Sequence, residues 1–215
     1  MAKVKPKKHL GQHFLTDKNI AQKIAQTLQL ETYQSILEIG PGMGVMTQYL
    51  LKRPDKKIFV SEIDRESIDY LKEHFPELQN QIIEGDFLKL DLETLFPNQQ
   101  IGITGNFPYN ISTQIVFKVL EHKNMILEFS GMFQKEVSER IVAKHGSKTY
   151  GILSVLTQVY YDTFYLFTVN EGVFNPPPKV KSGVIRLVRK DKAPDIDYQF
   201  LKKVVKTAFN QRRKT

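Results

Sequence analysis

Within Gly105-Asn106-Phe107-Pro108-Tyr109-Asn110 the chain gathers a side-chain amide, a backbone carbonyl ahead of a proline and an aromatic ring. Two acceptors and a stacking face are what an exocyclic amino group on a flat ring needs to be held. Pro108 biases Phe107 away from the helical region, which leaves an extended turn able to aim a carbonyl into a cleft. Asn106 and the Phe107 carbonyl are therefore candidates to hold a reacting amine, and Tyr109 is a candidate to stack on its ring. An ordinary Asn-Pro turn with a core tyrosine is the competing reading of the same residues.

Three further stretches carry chemistry of a matching kind. Gly40-Pro41-Gly42-Met43-Gly44 follows the apolar run from Ser35, and a glycine-rich turn there lets the backbone approach a ligand closely. Its spacing differs from the Gly-x-Gly-x-x-Gly of dinucleotide enzymes. Glu62 lies eighteen residues beyond Gly44 at the end of the next apolar run, where an acidic residue holds a ribose hydroxyl pair in such folds. Glu62 or Asp64 could instead cap the helix that begins near Arg65. Asp86 ends a third run and could accept a hydrogen bond from an adenine amino group. His13, in His9-Leu-Gly-Gln-His-Phe-Leu15, reads from its own context as a surface or packing residue.

Each of these stretches needs a strand to deliver it. Ser35–Gly40, Lys57–Asp64, Gln81–Asp86 and Ile101–Thr104 read as short buried strands, and a fifth falls within Met125–Phe133. Between them come helical patterns: one after Thr16 or Asp17 with Ile20, Ile24, Ala25 and Leu28 on one face, one carrying Val45, Tyr49 and Leu50, one from Arg65, and one over Gln134–Val142. Alternation of this kind predicts an α/β fold with a mostly parallel, doubly wound sheet. Gly151–Val159 reads as a further helix and Tyr160–Val169 as a strand. Phe174-Asn-Pro-Pro-Pro-Lys179 excludes helix and central strand, so a rigid extended loop presenting Phe174 is expected. Ser182–Val188 is expected to close the sheet as an antiparallel strand.

Composition narrows the function classes. The chain has no cysteine, which removes disulfides, thiol catalysis and cysteine-ligated metals and fits a reducing cytosol. No metal site and no membrane span are expected. The net charge is +8, gathered in a basic arm expected to be mobile, Lys3-Val-Lys-Pro-Lys-Lys8, and in Gln211-Arg-Arg-Lys214, so a polyanion is the natural partner. A solubilising surface accounts for the same charge equally well.

Taken in order, Gly11-Gln-His-Phe-Leu15, Glu38-Ile-Gly-Pro-Gly-Met-Gly44, Asn106-Phe-Pro-Tyr-Asn-Ile-Ser112, Gln134-Lys-Glu-Val137, Phe174-Asn-Pro-Pro-Pro-Lys-Val180 and Phe209-Asn-Gln-Arg-Arg-Lys-Thr215 span nearly the whole chain. In this the sequence resembles the S-adenosylmethionine-dependent ribosomal RNA adenine dimethyltransferases, and most of all those of the bacterial small subunit. One departure is Phe107, which stands where leucine is usual and matters little if that residue works through its carbonyl.

The resemblance implies a Rossmann-like class I methyltransferase with a mostly parallel seven-stranded sheet and S-adenosylmethionine as cofactor. It implies cofactor contacts at Gln12, His13, Leu15, Gly40, Gly42, Glu62, Asp86 and Asn106, and a target adenine held by Asn106, Phe107, Tyr109 and Phe174. The substrate it implies is small-subunit rRNA, met by a cytoplasmic monomer, with two methyl groups placed on each of two adjacent adenines near the 3′ end. A large-subunit adenine methyltransferase of the antibiotic-resistance kind shares the fold and turn, and a non-catalytic nucleic-acid-binding factor on the same scaffold is the rival from another class. Residues 1–190 are expected to form the methyltransferase domain, with 1–16 as arm and cofactor-contacting turn. Residues 191–215 are expected to hold the first helix of a truncated helical C-terminal domain, its partners missing and its apolar face either exposed or folded back on the main domain.

Overall fold

The computed structural model describes residues 4–211, so the cluster from Arg212 to Lys214 and Lys3 of the basic arm lie outside it. Seven strands form one sheet. Three lie on one side of its middle: β2 (Ser35–Ile39), β3 (Lys57–Glu62) and β4 (Ile82–Glu84). The chain then returns to the other side of β2 with β5 (Ile101–Asn106) and β6 (Ile126–Gln134), and ends with β7 (Tyr161–Val169) and β9 (Ser182–Arg189). The spatial order is β4-β3-β2-β5-β6-β9-β7. The first five strands of that order run parallel, while β9 lies antiparallel between β6 and β7. The order in which strands are added reverses between β2 and β5, which remain parallel, and in an open α/β sheet that switch point is where a crevice opens at the carboxyl ends of the strands.

Helices cover both faces. They are α1 (Lys18–Ala25), α2 (Thr47–Leu50), α3 (Arg65–His74), α4 (Leu92–Leu95), α5 (Ser112–Glu121), α6 (Lys135–Val142), α7 (Ile152–Tyr160) and α8 (Tyr198–Gln211). The whole of β2 is buried, as expected of a parallel strand covered twice. Its alternate residues serve opposite faces, Leu37 and Ile39 in one apolar core and Ile36 in the other. Burial alternates on β7 because it is an edge strand. Asp17 caps α1, accepting from the N–H groups of Asn19 and Ile20 at 2.8 and 3.0 Å, which settles the choice between Thr16 and Asp17.

Both ends of the described chain are tied to the domain. Of the two alternatives for the segment after β9, folding back holds: Tyr198 and Val205 of α8 are buried in the same core as β5 and β6, and Lys202 pairs with Glu121 at 3.3 Å. The Tyr160 hydroxyl also donates to the Ile196 carbonyl at 3.1 Å. Phe200 and Val204 stay exposed on α8, because one helix offers a single face to the domain beneath it. The basic arm is not free either, since Val4 is buried and Lys7 is ion-paired with Asp64 and Glu66.

A buried carboxylate ties the outer helix layer to the antiparallel edge. Glu128 on β6 is fully buried and accepts from the N–H groups of Gln29 and Leu30, from the Tyr33 hydroxyl at 2.7 Å and from Arg186 on β9. Four donors on one carboxylate offset the cost of taking its charge out of water. Beside it the Tyr33 phenol is pushed above its usual range, first by burial and then by the Glu128 charge.

Candidate active site

The carboxyl ends of β2, β3, β4 and β5 meet at one cleft of about 240 Å³. Gly40, Gly42, Glu62, Asp86, Asn106, Phe107 and Tyr109 line it, and the N-terminal segment His9–Phe14 closes one side. Sequence separation had left these residues up to a hundred positions apart. The shared polarity of four parallel strands brings them together, since each strand hands its next turn to the same edge of the sheet.

Gly40 has φ +66, and a Cβ built there meets nothing within 4 Å. It is a left-handed position that opens onto the cleft, so any side chain would both strain the turn and fill the approach. Glu62 ends β3 with one carboxylate oxygen on the Gly42 N–H at 3.0 Å and the other on the N–H groups of Ile63 and Asp64, both at 2.9 Å. Those bonds join the glycine turn to the acid and fix its carboxylate. Burial pushes the Glu62 carboxyl up despite the three donors that favour its charge. Asp64, and not Glu62, caps α3 by accepting from the Glu66 N–H. Burial alone would raise the Asp64 carboxyl, yet hydrogen bonds from Lys7, Gln12 and Ser67 hold it below its ordinary value. Asp86 accepts from the Leu88 N–H at 3.0 Å and so caps the short turn that walls the cleft.

The N-terminal segment is strapped over this floor. Gln12 donates to Asp64 at 3.3 Å and accepts from the Lys7 N–H at 2.7 Å, so its side chain works as a strut of the strap while the residue lines the cleft. Gly11 has φ +66, and an added Cβ would lie 2.5 Å from the Asn110 amide oxygen. Only glycine lets the strap sit this close to the Asn-Phe-Pro-Tyr turn. His13 stacks on Tyr109 with ring centroids 5.5 Å apart and 29° between planes, and its Nδ1 lies 2.7 Å from the Pro176 carbonyl. A carbonyl can only accept, so Nδ1 carries the proton. Leu15 pairs with Phe174 across β1 (Phe14–Leu15) and β8 (Phe174–Asn175) and lines a side recess of about 40 Å³ shared with Gly40 and Asn106.

Asn106 ends β5 and donates its amide N–H to the His13 carbonyl at 3.0 Å. This fixes the flip of the amide and leaves Oδ1 as the acceptor offered to a ligand. Phe107 buries its ring stacked on Phe129 at 5.0 Å and tilted against Phe133 at 4.8 Å, while its N–H bonds the Met132 carbonyl at 3.1 Å. The ring and N–H anchor the residue, so what it can offer to the cleft is its carbonyl. The Tyr109 hydroxyl meets Ser182 Oγ at 2.6 Å. Burial keeps that phenol above its usual range, although the Ser182 bond pulls the other way.

Phe174 lies outside the cleft lining in this structure. It is 5% exposed and packs in the apolar core with Leu15, Met132 and Val184, away from the cleft lining. Pairing with β1 turns its ring inward, and the ring stacked on Tyr109 is that of His13. Sequence reasoning also gave no role to Glu38, which is 2% exposed and accepts from the Thr47 hydroxyl at 2.6 Å. Burial, opposed by that hydrogen bond and assisted by the Glu62 charge, pushes its carboxyl up to about 8. An acid opening a glycine turn was the available signal.

The sequence matches the ribosomal RNA adenine dimethylase family over residues 3–215. The chain belongs to that family. It is an S-adenosylmethionine-dependent adenine dimethyltransferase of class I fold. Ribosomal RNA small subunit methyltransferase A of Flavobacterium johnsoniae is 60% identical across all of this chain and 82% of its own length. The protein of the same name from Bacteroides thetaiotaomicron is 58% identical over all of this chain and 80% of its own. Among solved structures, a dimethyladenosine transferase from Plasmodium falciparum superposes with a TM-score of 0.81 at 29% identity, covering 94% of this chain and 72% of that one. The 23S rRNA methyltransferase ErmE reaches 0.74 at 27% identity, covering 92% and 79%. The relatives at 58–60% identity carry the small-subunit name, so the large-subunit reading, represented by ErmE at 27%, is not favoured. The residues of the dimethylase fit its cofactor: an open left-handed glycine, a fixed carboxylate at the tip of β3 and a second acid after β4 share one cleft.

Proposed function

We propose that the chain transfers methyl groups to the N6 amino groups of two adjacent adenines near the 3′ end of small-subunit rRNA, during maturation of the subunit. The observation that carries the reading is the Asn106 amide, pinned by His13 so that Oδ1 is offered as an acceptor beside the Phe107 carbonyl.

An adenine amino group is a poor nucleophile because its lone pair is delocalised into the ring. Oδ1 of Asn106 and the Phe107 carbonyl accept its two N–H bonds and favour the pyramidal amine. Preorganised acceptors of this kind stabilise charge as it develops, and fixed positioning removes the entropy of bringing the groups together. S-adenosylmethionine, when bound, supplies an electrophilic methyl group. Glu62 is suited to the ribose hydroxyls, Asp86 to the adenine amino group of the cofactor, and Gly40 and Gly42 to close backbone approach. Gln12, His13 and Leu15 close the cofactor side through the strap and the recess. Tyr109 stacks on the target base. Each transfer forms an N–C bond and releases one amine proton, which becomes acidic as the bond forms, so after the first the amine keeps one N–H and one of the two acceptors is left without a donor.

The net charge of +8 supports a polyanionic substrate, with Lys5 and Lys8 exposed at the strap. Among the described residues no helix is long and apolar enough to cross a membrane. A cytoplasmic monomer is part of this proposal. So is a division into a methyltransferase domain over 1–190 and the first helix of a helical unit over 191–215, for which the exposed Phe200 and Val204 are the docking face.

The test is methyl transfer from S-adenosylmethionine to immature small subunits and to naked rRNA, with modified nucleotides mapped. Dimethylation of a pair of adjacent adenines in the small subunit is expected. Methylation confined to large-subunit rRNA, or cofactor binding without transfer to any RNA, would sink the reading.

A further inference from the structure

In sequence Ser182 only begins a strand, beyond the last of the motifs that reach the cleft. In the fold its side chain touches Tyr109. The two hydroxyl oxygens are 2.6 Å apart, and Ser182 is fully buried. Its backbone is held from both sides, in register with Gln134 on β6 and with Val169 on β7. The neighbouring residues are fixed as well, because the Lys181 carbonyl accepts from the Lys135 N–H and the Gly183 carbonyl from the Ser138 hydroxyl, both at 2.9 Å. Ser182 cannot shift without disturbing two ladders and the start of α6.

Tyr109 has no such frame. It sits in the turn between β5 and α5, where backbone ties are the Ser112 hydroxyl on its carbonyl at 3.1 Å and the Ile111 N–H on the Pro108 carbonyl at 3.2 Å. A phenol on a turn turns about two side-chain torsions, and a tether at its far end removes that freedom. One face of the ring lies against His13. Burial keeps the Tyr109 phenol protonated, so it has a proton to share with the serine. A buried serine hydroxyl without its partner is costly, which makes the pair a matched one.

We propose that Ser182 is a positioning residue, fixing the plane of Tyr109 so that its ring is preset to receive the target base. This rests on the proposed function for the role of Tyr109 and extends it to a residue outside the motifs. Presetting acts before and during the reaction, because a stacking face held at the right angle spares the base the cost of ordering it.

The experiment compares the full chain with Ser182→Ala, Tyr109→Phe and the double variant. Single-turnover methylation of immature small subunits is measured at saturating S-adenosylmethionine, with cofactor affinity by calorimetry and unfolding by temperature. A small-subunit rRNA fragment carrying 2-aminopurine in place of the target adenine reports stacking by fluorescence. Each single variant is expected to slow transfer by on the order of 10-fold to 100-fold, the range of a small misplacement at a reacting centre. The double variant is expected to be no slower than the worse single one, because both remove the same bond. Cofactor affinity stays unchanged, and quenching of 2-aminopurine falls in all three. Losses that multiply in the double variant, or Ser182→Ala acting at the full rate, overturn the proposal. If Ser182→Ala does not fold, Tyr109→Phe decides, and its full activity with normal quenching overturns it. A wild-type chain that methylates no adenine counts against the function itself, while the quenching series still tests the tether.

Discussion

The Asn106 side-chain amide donates to the main-chain carbonyl of His13 at 3.0 Å, across 93 residues of sequence. One bond thus joins the end of β5 to the N-terminal strap and decides which end of the amide meets a substrate. Asn106→Ala should therefore reduce turnover by on the order of 10²–10³ while leaving RNA affinity nearly intact, as for loss of one preorganised contact made in the transition state. Single-turnover assays at saturating RNA check it, and normal turnover there would remove the turn from the catalytic centre.

Glu62→Ala should weaken S-adenosylmethionine binding by about 1–3 kcal/mol, the usual cost of a lost hydrogen bond to a charged group. It should also lower the melting temperature, because the Gly42, Ile63 and Asp64 N–H groups lose their acceptor together. Calorimetry and thermal unfolding separate the two effects. Unchanged affinity would take Glu62 out of the ribose role.

Phe174→Ala is a core deletion on this structure, since the ring is 5% exposed among Leu15, Met132 and Val184. A loss of about 3–5 kcal/mol of stability is expected, the range for a buried phenylalanine. Denaturant unfolding measures it. A stable variant with a raised apparent constant for RNA would instead mean that the ring swings out to the substrate.

Glu38 gives a pH signature. Its folded carboxyl is raised to about 8 by burial, against about 4.5 for an unperturbed glutamate, so the folded chain holds a proton that the unfolded chain releases over that window. Stability from this group is fully present below about pH 4.5 and is lost as pH rises towards about 8. Glu38→Gln should flatten that decline in urea titrations between pH 5 and 8. An unaltered slope would mean that Glu38 ionises freely in the fold.

RNA affinity should fall steeply with salt, with the arm lysines contributing unequally. Lys5 and Lys8 are exposed, whereas Lys7 is already paired with Asp64 and Glu66. Replacing Lys5 and Lys8 should flatten the plot of log affinity against log salt by roughly two units, about one per released counterion. Lys7→Ala should change the slope less and cofactor affinity more, because it unties the strap. Equal slopes for all variants would assign the arm to solubility.

Sequence by itself missed α4 and the short β1–β8 pair, but it determined the chain order of the seven strands of the main sheet, its mostly parallel class and the strand ends that carry Gly40, Glu62, Asp86 and Asn106. Those follow from local rules: alternating apolar runs, glycine where the backbone must turn left-handed, and proline where a helix cannot continue. The same rules placed Asn106, Phe107 and Tyr109 on one turn. Only the tertiary structure decided partners at long range. That Lys7 bonds Asp64, that Ser182 meets Tyr109 and that Glu128 collects four donors depends on which strands become neighbours, and no periodicity in the chain records it. The direction in which Phe174 faces was decided in the same way. A proline-rich loop reads as a display element, but pairing with Phe14–Leu15 offered its ring a core, and burying an aromatic side chain there stabilises the fold more than leaving it in water.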